Sequence, residues 1–314
     1  MRKIALQISP EVRTAYFADY LDVAETELAQ VTGFKPEEFV QFGELEFFLL
    51  NCPEERDEEL LKLSFVQGLF EIGDGSYFPL NKAFEYQLHR DFVFGSKFKG
   101  KTNERLTQLL LNVGLSVIDC PVGEPIRLLD PMCGRGTTIM WGMQYGFRCK
   151  GIDREEAALE DIVRNTKKWC KVHRTKNKFE RGALGDKKRR NSPRYLDATL
   201  DGQRARFVTG DARKPSEYFG SEKFNLIVSD LPYGIQHFGD GDTRNPLGLL
   251  SECAVSWREV LAEGGAVVLA FNKKQPKRGQ LIAAFENAGW TANEFNAPHR
   301  MSESIVRDIV IFTS

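Results

Sequence analysis

The sequence has no Cys-x-x-Cys pair and only four histidines in 314 residues. Its six cysteines, Cys52, Cys120, Cys133, Cys149, Cys170 and Cys253, are scattered. That pattern argues against a disulfide framework and against a structural zinc site, so no metal is expected. Reduced thiols fit a cytoplasmic protein. No apolar run approaches the roughly 18 residues of a membrane span. Met1 to Gln7 is too short in apolar length for a signal peptide, so no membrane partner is expected. Internal repeats are also missing, and so is any excess of charge: the formal net charge is -1. A strongly basic chain would announce a nucleic-acid partner; here such binding has to come from a local patch.

What is present is a chain that can bury a sizeable core, with 42% hydrophobic and 28% charged residues. The length suits two domains, or one large α/β domain with an extension. Residues 1–90 read as a small α/β unit. Ser9-Pro10-Glu11 looks like a helix start. Phe17, Leu21, Ala24 and Leu28 then recur at helical spacing, and Gly33 can close that helix. Strands are predicted over 45–50 and 65–72, with an acidic helix over 53–63 between them.

From residue 94 the texture changes. A polar loop, 95–103, leads into a helix over 104–113. Strands and helices then alternate, with strands at 126–129, 147–152, 205–208, 224–229 and 266–271 and two closing strands near 290–295 and 305–312. This alternation argues for a mainly parallel sheet covered on both faces, an α/β fold. The segment 167–206 interrupts it as a basic insertion, with Lys187, Lys188, Arg189 and Arg190 in a row. A run of this kind is either a solvated surface or an electrostatic footprint for a phosphate backbone.

The chemistry sits at the strand ends. The first parallel strand runs into Asp130, Pro131, Met132, Cys133, Gly134, Arg135, Gly136, Thr137 and Thr138. Glycines there let backbone approach a ligand at a helix start, and the acid can serve a positive group. Ile139 stands where the third Gly of a dinucleotide fingerprint would fall. Asp153, ending the second strand, can accept both ribose hydroxyls of an adenosine, in NAD or in S-adenosylmethionine alike. Asp211, before Ala212, can take an adenine amino group. After the fourth strand come Asp230, Leu231, Pro232 and Tyr233, then Gly234. An acid, a rigid turn and an aromatic are poor packing choices there. They suit a planar base with an exocyclic amino group: the Asp and a turn carbonyl accept its hydrogens, and the Tyr stacks on the base.

Taken together, these residues resemble the class I S-adenosylmethionine-dependent methyltransferases that modify exocyclic amino groups. The chain is most similar to RNA methylases that make N2-methylguanosine in tRNA, related to the THUMP-bearing tRNA guanosine methyltransferases. Lys101, Thr102 and Asn103 with the helix after them look like that group's cofactor-contacting segment, and the stretch 298–301 also matches it. The resemblance covers 94–314. It implies a Rossmann-like class I methyltransferase sheet, mostly parallel with an antiparallel last strand, in a domain of residues 91–314. It also implies S-adenosyl-L-methionine as cofactor and RNA, in particular tRNA, as partner. Residues 1–90 match only the first part of the relatives' N-terminal region and are expected to help dock RNA. Lys187 to Arg190, His237 and Arg300 are the candidate substrate contacts. Carbon-5 methylation is disfavoured, since relatives that perform it carry a Cys beside the motif Pro, where Tyr233 stands here. Open alternatives are an amino-methyltransferase acting on DNA or rRNA, an NAD oxidoreductase, and a non-catalytic RNA-binding protein on the same fold.

Overall fold

In a computed structural model, which describes residues 1–97, 101–121, 123–185, 192–232, 246–301 and 305–314, the chain builds two sheets. The first unit comprises β1 (Arg2–Ile8), α1 (Glu11–Tyr16), α2 (Tyr20–Thr32), β2 (Glu38–Phe42), β3 (Leu45–Cys52), α3 (Asp57–Leu61), β4 (Val66–Gly73) and β5 (Ser76–Pro79). Its sheet order is β2-β3-β1-β4-β5, and every pairing is antiparallel. Only β3 and β4 were expected from sequence. The central strand β1 is the one considered and rejected as a signal peptide. Ile4, Leu6 and Ile8 alternate on its core face, the period-two pattern of a strand. The expected single helix through Phe17 is also broken. α1 stops at Tyr16, Phe17 to Asp19 form a 3-10 turn, and Phe17 lies 48% exposed instead of on the core face.

The second unit follows as α4 (Asp91–Phe94), α5 (Glu104–Leu115), β6 (Arg127–Asp130), α6 (Thr137–Gln144), β7 (Arg148–Asp153), α7 (Glu156–His173), β8 (Asn177–Ala183), β9 (Arg194–Leu200), β10 (Gln203–Thr209), α8 (Pro215–Phe219), β11 (Phe224–Asp230), α9 (Leu247–Val260), β12 (Leu261–Asn272), α10 (Arg278–Glu286), β13 (Thr291–Ala292), β14 (His299–Arg300) and β15 (Val306–Thr313). The sheet order is β13-β15-β12-β11-β6-β7-β10-β9-β8, with β14 on β15. Strands β12, β11, β6, β7 and β10 are parallel, and β15 runs antiparallel to β12. The parallel strands are near-continuous apolar runs because helices cover both faces. The chain winds outward from β6 on one side and returns through β11 on the other. A topological switch point therefore lies between the carboxyl ends of β6 and β11, where α/β sheets bind ligands.

The basic insertion is not an interruption. Its start completes α7, and β8 and β9 extend the sheet edge as antiparallel strands beside β10. Leu196, Ala198 and Leu200 on one face of β9 are buried, an alternation hidden among charges. Lys187 to Arg190 lie outside the described residues. All six cysteines are free thiols, and no helix among the described residues is long and apolar enough to cross a membrane.

The two units share one apolar core that runs from Ile4 and Phe65 to Leu109, Leu128 and Ile309. A buried polar network crosses the seam. Glu27 accepts hydrogen bonds from Ser64 N at 2.9 Å, Ser64 Oγ at 2.5 Å and Asn112 Nδ2 at 2.7 Å. Burial raises the Glu27 pKa, and these donors counter the rise. Tyr145 donates to Asn112 Oδ1 at 2.9 Å. Asn112→Ala removes a donor from a buried carboxyl and an acceptor from a buried hydroxyl. It should cost about 1–3 kcal/mol, while Glu27→Gln keeps the hydrogen-bonding shape and should cost less. Denaturant midpoints check this; equal, negligible losses would show that the network adds nothing to docking.

Candidate active site

The switch-point crevice is built first by the turn from β6 into α6. Asp130 ends β6 and is 2% exposed. Its Oδ1 accepts hydrogen bonds from Met132 N at 3.1 Å and from Ser229 Oγ at 2.9 Å. Burial pushes its pKa up to about 7, opposed by bonds from Thr138, Met132 and Ser229 and reinforced by the charge of Asp230. Gly134 and Gly136 have φ of 50° and 82°, the left-handed region that only glycine enters without strain. A Cβ at Gly134 would project into open space, whereas one at Gly136 would meet Phe207 at 3.0 Å. Cys133 donates its N–H to Ile152 O at 2.8 Å. Its buried thiol has a pKa well above the ordinary value, so it packs and does not attack. Met132 is half-buried against the second apolar cluster, and Thr137 and Thr138 are buried in the first turn of α6.

At the end of β7, Asp153 accepts from Gly134 N at 2.8 Å and Glu155 N at 2.9 Å. It locks the glycine turn at the end of the strand. Asp211, beyond β10, is turned onto its own chain. Arg213 donates from its backbone N at 2.9 Å and from Nε at 3.0 Å to both oxygens. Arg213 Nη2 adds a bond to Oδ2 at 2.5 Å. These bonds hold the Asp211 pKa down and occupy the acceptor directions expected to face an adenine. The neighbouring Ala212 is buried, and its carbonyl accepts from Trp257 Nε1 at 2.8 Å.

The clamp residue Asp230 ends β11 beside Asp130. Its Oδ2 accepts from Thr102 Oγ1 at 2.9 Å and from Arg307 Nη2 at 3.1 Å. Burial raises its pKa, and Arg307 first and Thr102 next oppose that rise. Leu231 continues the ladder, donating its N–H to Ala270 O at 2.9 Å, and is buried. Pro232 follows half-buried; Tyr233 and His237 lie outside the described residues. The segment before α5 divides its labour. Thr102 reaches Asp230, Asn103 caps α5 by accepting from Arg105 N and Leu106 N, and Lys101 donates to Ser96 O at 2.7 Å and Glu104 Oε1 at 2.5 Å. Two of the three residues expected at a cofactor therefore hold local structure.

Arg307, near the start of β15, is 1% exposed and paired with Asp230. His299 lies beside it in register on β14. The His299 ring is buried, donates from Nδ1 to Ala297 O at 2.8 Å and packs edge-on against Tyr16 of the first unit at 5.0 Å. Arg300 is exposed, and its N–H donates to Asp19 Oδ2 at 2.7 Å. Away from the crevice, spacing gave no hint that His89, Asp91 and His173 meet with ligand atoms within 4.8 Å of one another. The two imidazoles stack at 3.6 Å, so their lone pairs lie in near-parallel planes and do not converge on one ion.

A family model described as "UPF0020: RMKL-like, methyltransferase domain" matches residues 117–299. No curated protein matches the chain. Among solved structures, the chain is similar to TrmN from Thermus thermophilus at 15% identity, covering 87% of this chain and 57% of that one with a TM-score of 0.45. Magnesium protoporphyrin IX methyltransferase (ChlM) from Synechocystis PCC 6803 with bound SAM matches at 13% identity over 71% of this chain and 89% of that one, TM-score 0.44. A TehB-like SAM-dependent methyltransferase from Corynebacterium glutamicum matches at 15% identity over 62% and 82%, TM-score 0.38.

The buried Asp130 makes stability pH-dependent in a defined direction. Its folded pKa of about 7 lies above the ordinary 3.8, so between those values the folded state holds more protons than the unfolded one. Its contribution to stability is therefore lost as pH rises from about 4 to about 7. Asp130→Asn keeps the acceptor for Met132 and Ser229 and removes the titration. Urea midpoints of the variant should fall less over that pH range than those of the unaltered protein; parallel curves would rule out a raised pKa.

Proposed function

The chain belongs to the UPF0020 family of RMKL-like methyltransferases, and on that premise we propose that this S-adenosyl-L-methionine-dependent enzyme methylates the exocyclic amino group of an RNA base, guanosine N2 in tRNA. The observation that carries the reading is Asp230, a largely buried carboxylate at the switch point, held by Thr102 and Arg307 and followed in sequence by Leu231, Pro232 and Tyr233. A carboxylate accepts hydrogen bonds and does not donate them, so it selects a substrate that presents N–H groups.

The residues fit the cofactor. Asp153 can accept the ribose hydroxyls, the turn opened by Gly134 leaves room for backbone contact, and the first turn of α6 suits a carboxylate. Asp130 can hold the ammonium end, whose positive charge would ionise a carboxyl poised near neutrality. The cofactor supplies a methyl group on a sulfonium. The protein's part is to hold a nitrogen whose lone pair is delocalised into the base. Asp230 and a carbonyl of the Leu231-Pro232 turn each take one amino hydrogen, which aims the lone pair and supports the charge that develops on nitrogen. Tyr233 is assigned the stacking face.

Charge distribution supports RNA binding by the catalytic half. Residues 1–90 hold 17 Asp and Glu against 8 Lys and Arg, which leaves 27 against 35 for residues 91–314. The overall balance near zero conceals a basic half, and the basic edge from α7 to β10 is the part that can face phosphates.

Incubation with labelled cofactor and tRNA or DNA, followed by nucleoside mass spectrometry, tests the reading. N2-methylguanosine in tRNA is expected; methylated DNA alone would overturn it. Asp230→Ala should lower turnover at least about 100-fold with cofactor affinity little changed, and unaltered turnover would sink the proposed role. Activity needs ionised Asp230, so it falls as pH drops through that pKa. Arg307→Met removes the nearby positive charge and should move this acid limb to higher pH. Replacing Lys187 to Arg190 by alanines should weaken tRNA binding and flatten its salt dependence; an unchanged salt slope would remove those four from the interface.

A further inference from the structure

We propose that Phe17 belongs to the substrate site, its ring stacking on a nucleobase that flanks the methylated one. The inference rests on the RNA reading above and adds a residue from the other unit.

Phe17 sits at the end of α1 with φ 52° and ψ -130°. Glycine takes such a conformation without strain, and a residue with a side chain does not. The other non-glycine residues with positive φ have ordinary explanations. Asp74 and Asp201 precede glycines in hairpin turns, and Arg174 closes α7 in the usual left-handed region. Phe17 also closes a helix, its N–H donating to Arg13 O, but its ψ of -130° lies far outside that left-handed region. Its ring returns little to the fold either, being 48% exposed with no ring contact among the described residues. Folding stability alone therefore favours glycine at this position.

Its surroundings explain what the ring is for. The residues on either side fasten the segment to the wall behind the clamp. Tyr16 packs on His299 at 5.0 Å, and Asp19 accepts the Arg300 N–H at 2.7 Å. His299 pairs with Arg307, which holds Asp230. An exposed aromatic is thus tied to the base clamp through Tyr16, His299 and Arg307, and the exposed Arg300 is fastened two residues along the same segment. A target base drawn out of its stack leaves neighbouring bases in need of a π face, and their phosphates in need of a cation. The first unit is too acidic to attract phosphates, so an aromatic face is what it can contribute.

Phe17→Gly, Phe17→Ala and Phe17→Trp separate substrate contact from packing. The readouts are thermal midpoint, cofactor affinity, and kcat and KM for tRNA. For Phe17→Gly the midpoint should stay level or rise, because strain is relieved, while KM for tRNA rises about tenfold with kcat and cofactor affinity little changed. Phe17→Trp should keep KM near the unaltered value. An unchanged KM in the glycine variant, or a drop in midpoint that tracks the loss of activity, would overturn the inference while leaving the RNA reading intact. If the unaltered protein methylates no RNA, the RNA reading fails, and this inference with it.

Discussion

One ion pair sets the terms for the rest of the fold. Asp230 and Arg307 are both removed from water, and each alone would be costly there. Together they set a carboxylate beside a cation at the switch point, where the proposed amino group would be held. Arg307 opens β15, and β15 is antiparallel to its neighbour β12. Only an antiparallel strand begins at the edge where the parallel strands end. The reversed last strand is thus the means by which a cation reaches the carboxyl end of β11 across β12.

The other partners of the pair come from equally distant places. Thr102 precedes Asp230 by 128 positions, and Arg307 follows it by 77. No local segment can form the clamp, which exists only once β6, β11, β12 and β15 have assembled. The cofactor side is more local. Asp153 bonds Gly134 across adjacent strands, and Asp130 bonds the turn that follows it. The two halves of the site meet at Asp130 and Ser229, which join the ends of β6 and β11. Burial first, with the charge of Asp230 adding to it, pushes Asp130 toward neutrality, while Asp230 has an arginine that opposes its own rise.

What could be read from the sequence follows from how strongly each element announces its burial. The parallel strands are covered on both faces, and their apolar runs and terminal acids were legible. β2 is largely exposed and β8 is crowded with charge, so neither shows a clean alternation. Asn103 was read as a cofactor contact because its motif matches; the side chain is spent on capping α5. The role of Arg307 is not legible in the sequence, since a lone basic residue at a strand start looks like surface and its meaning lies in a tertiary partner. Phe17 fell into a helical rhythm that the backbone abandons one residue earlier.

The first unit was expected to dock RNA, and its composition argues for a different division of labour. A unit whose sequence holds about twice as many acids as bases repels phosphates within the reach that salt leaves unscreened. Yet the unit shares its core with the catalytic half, pins Asn112 through Glu27, and sets Tyr16 against His299. Those are the contacts of a wall packed against the catalytic half. Under the proposed RNA reading, such a wall contributes position and an aromatic face, and the attraction for phosphates comes from the basic half.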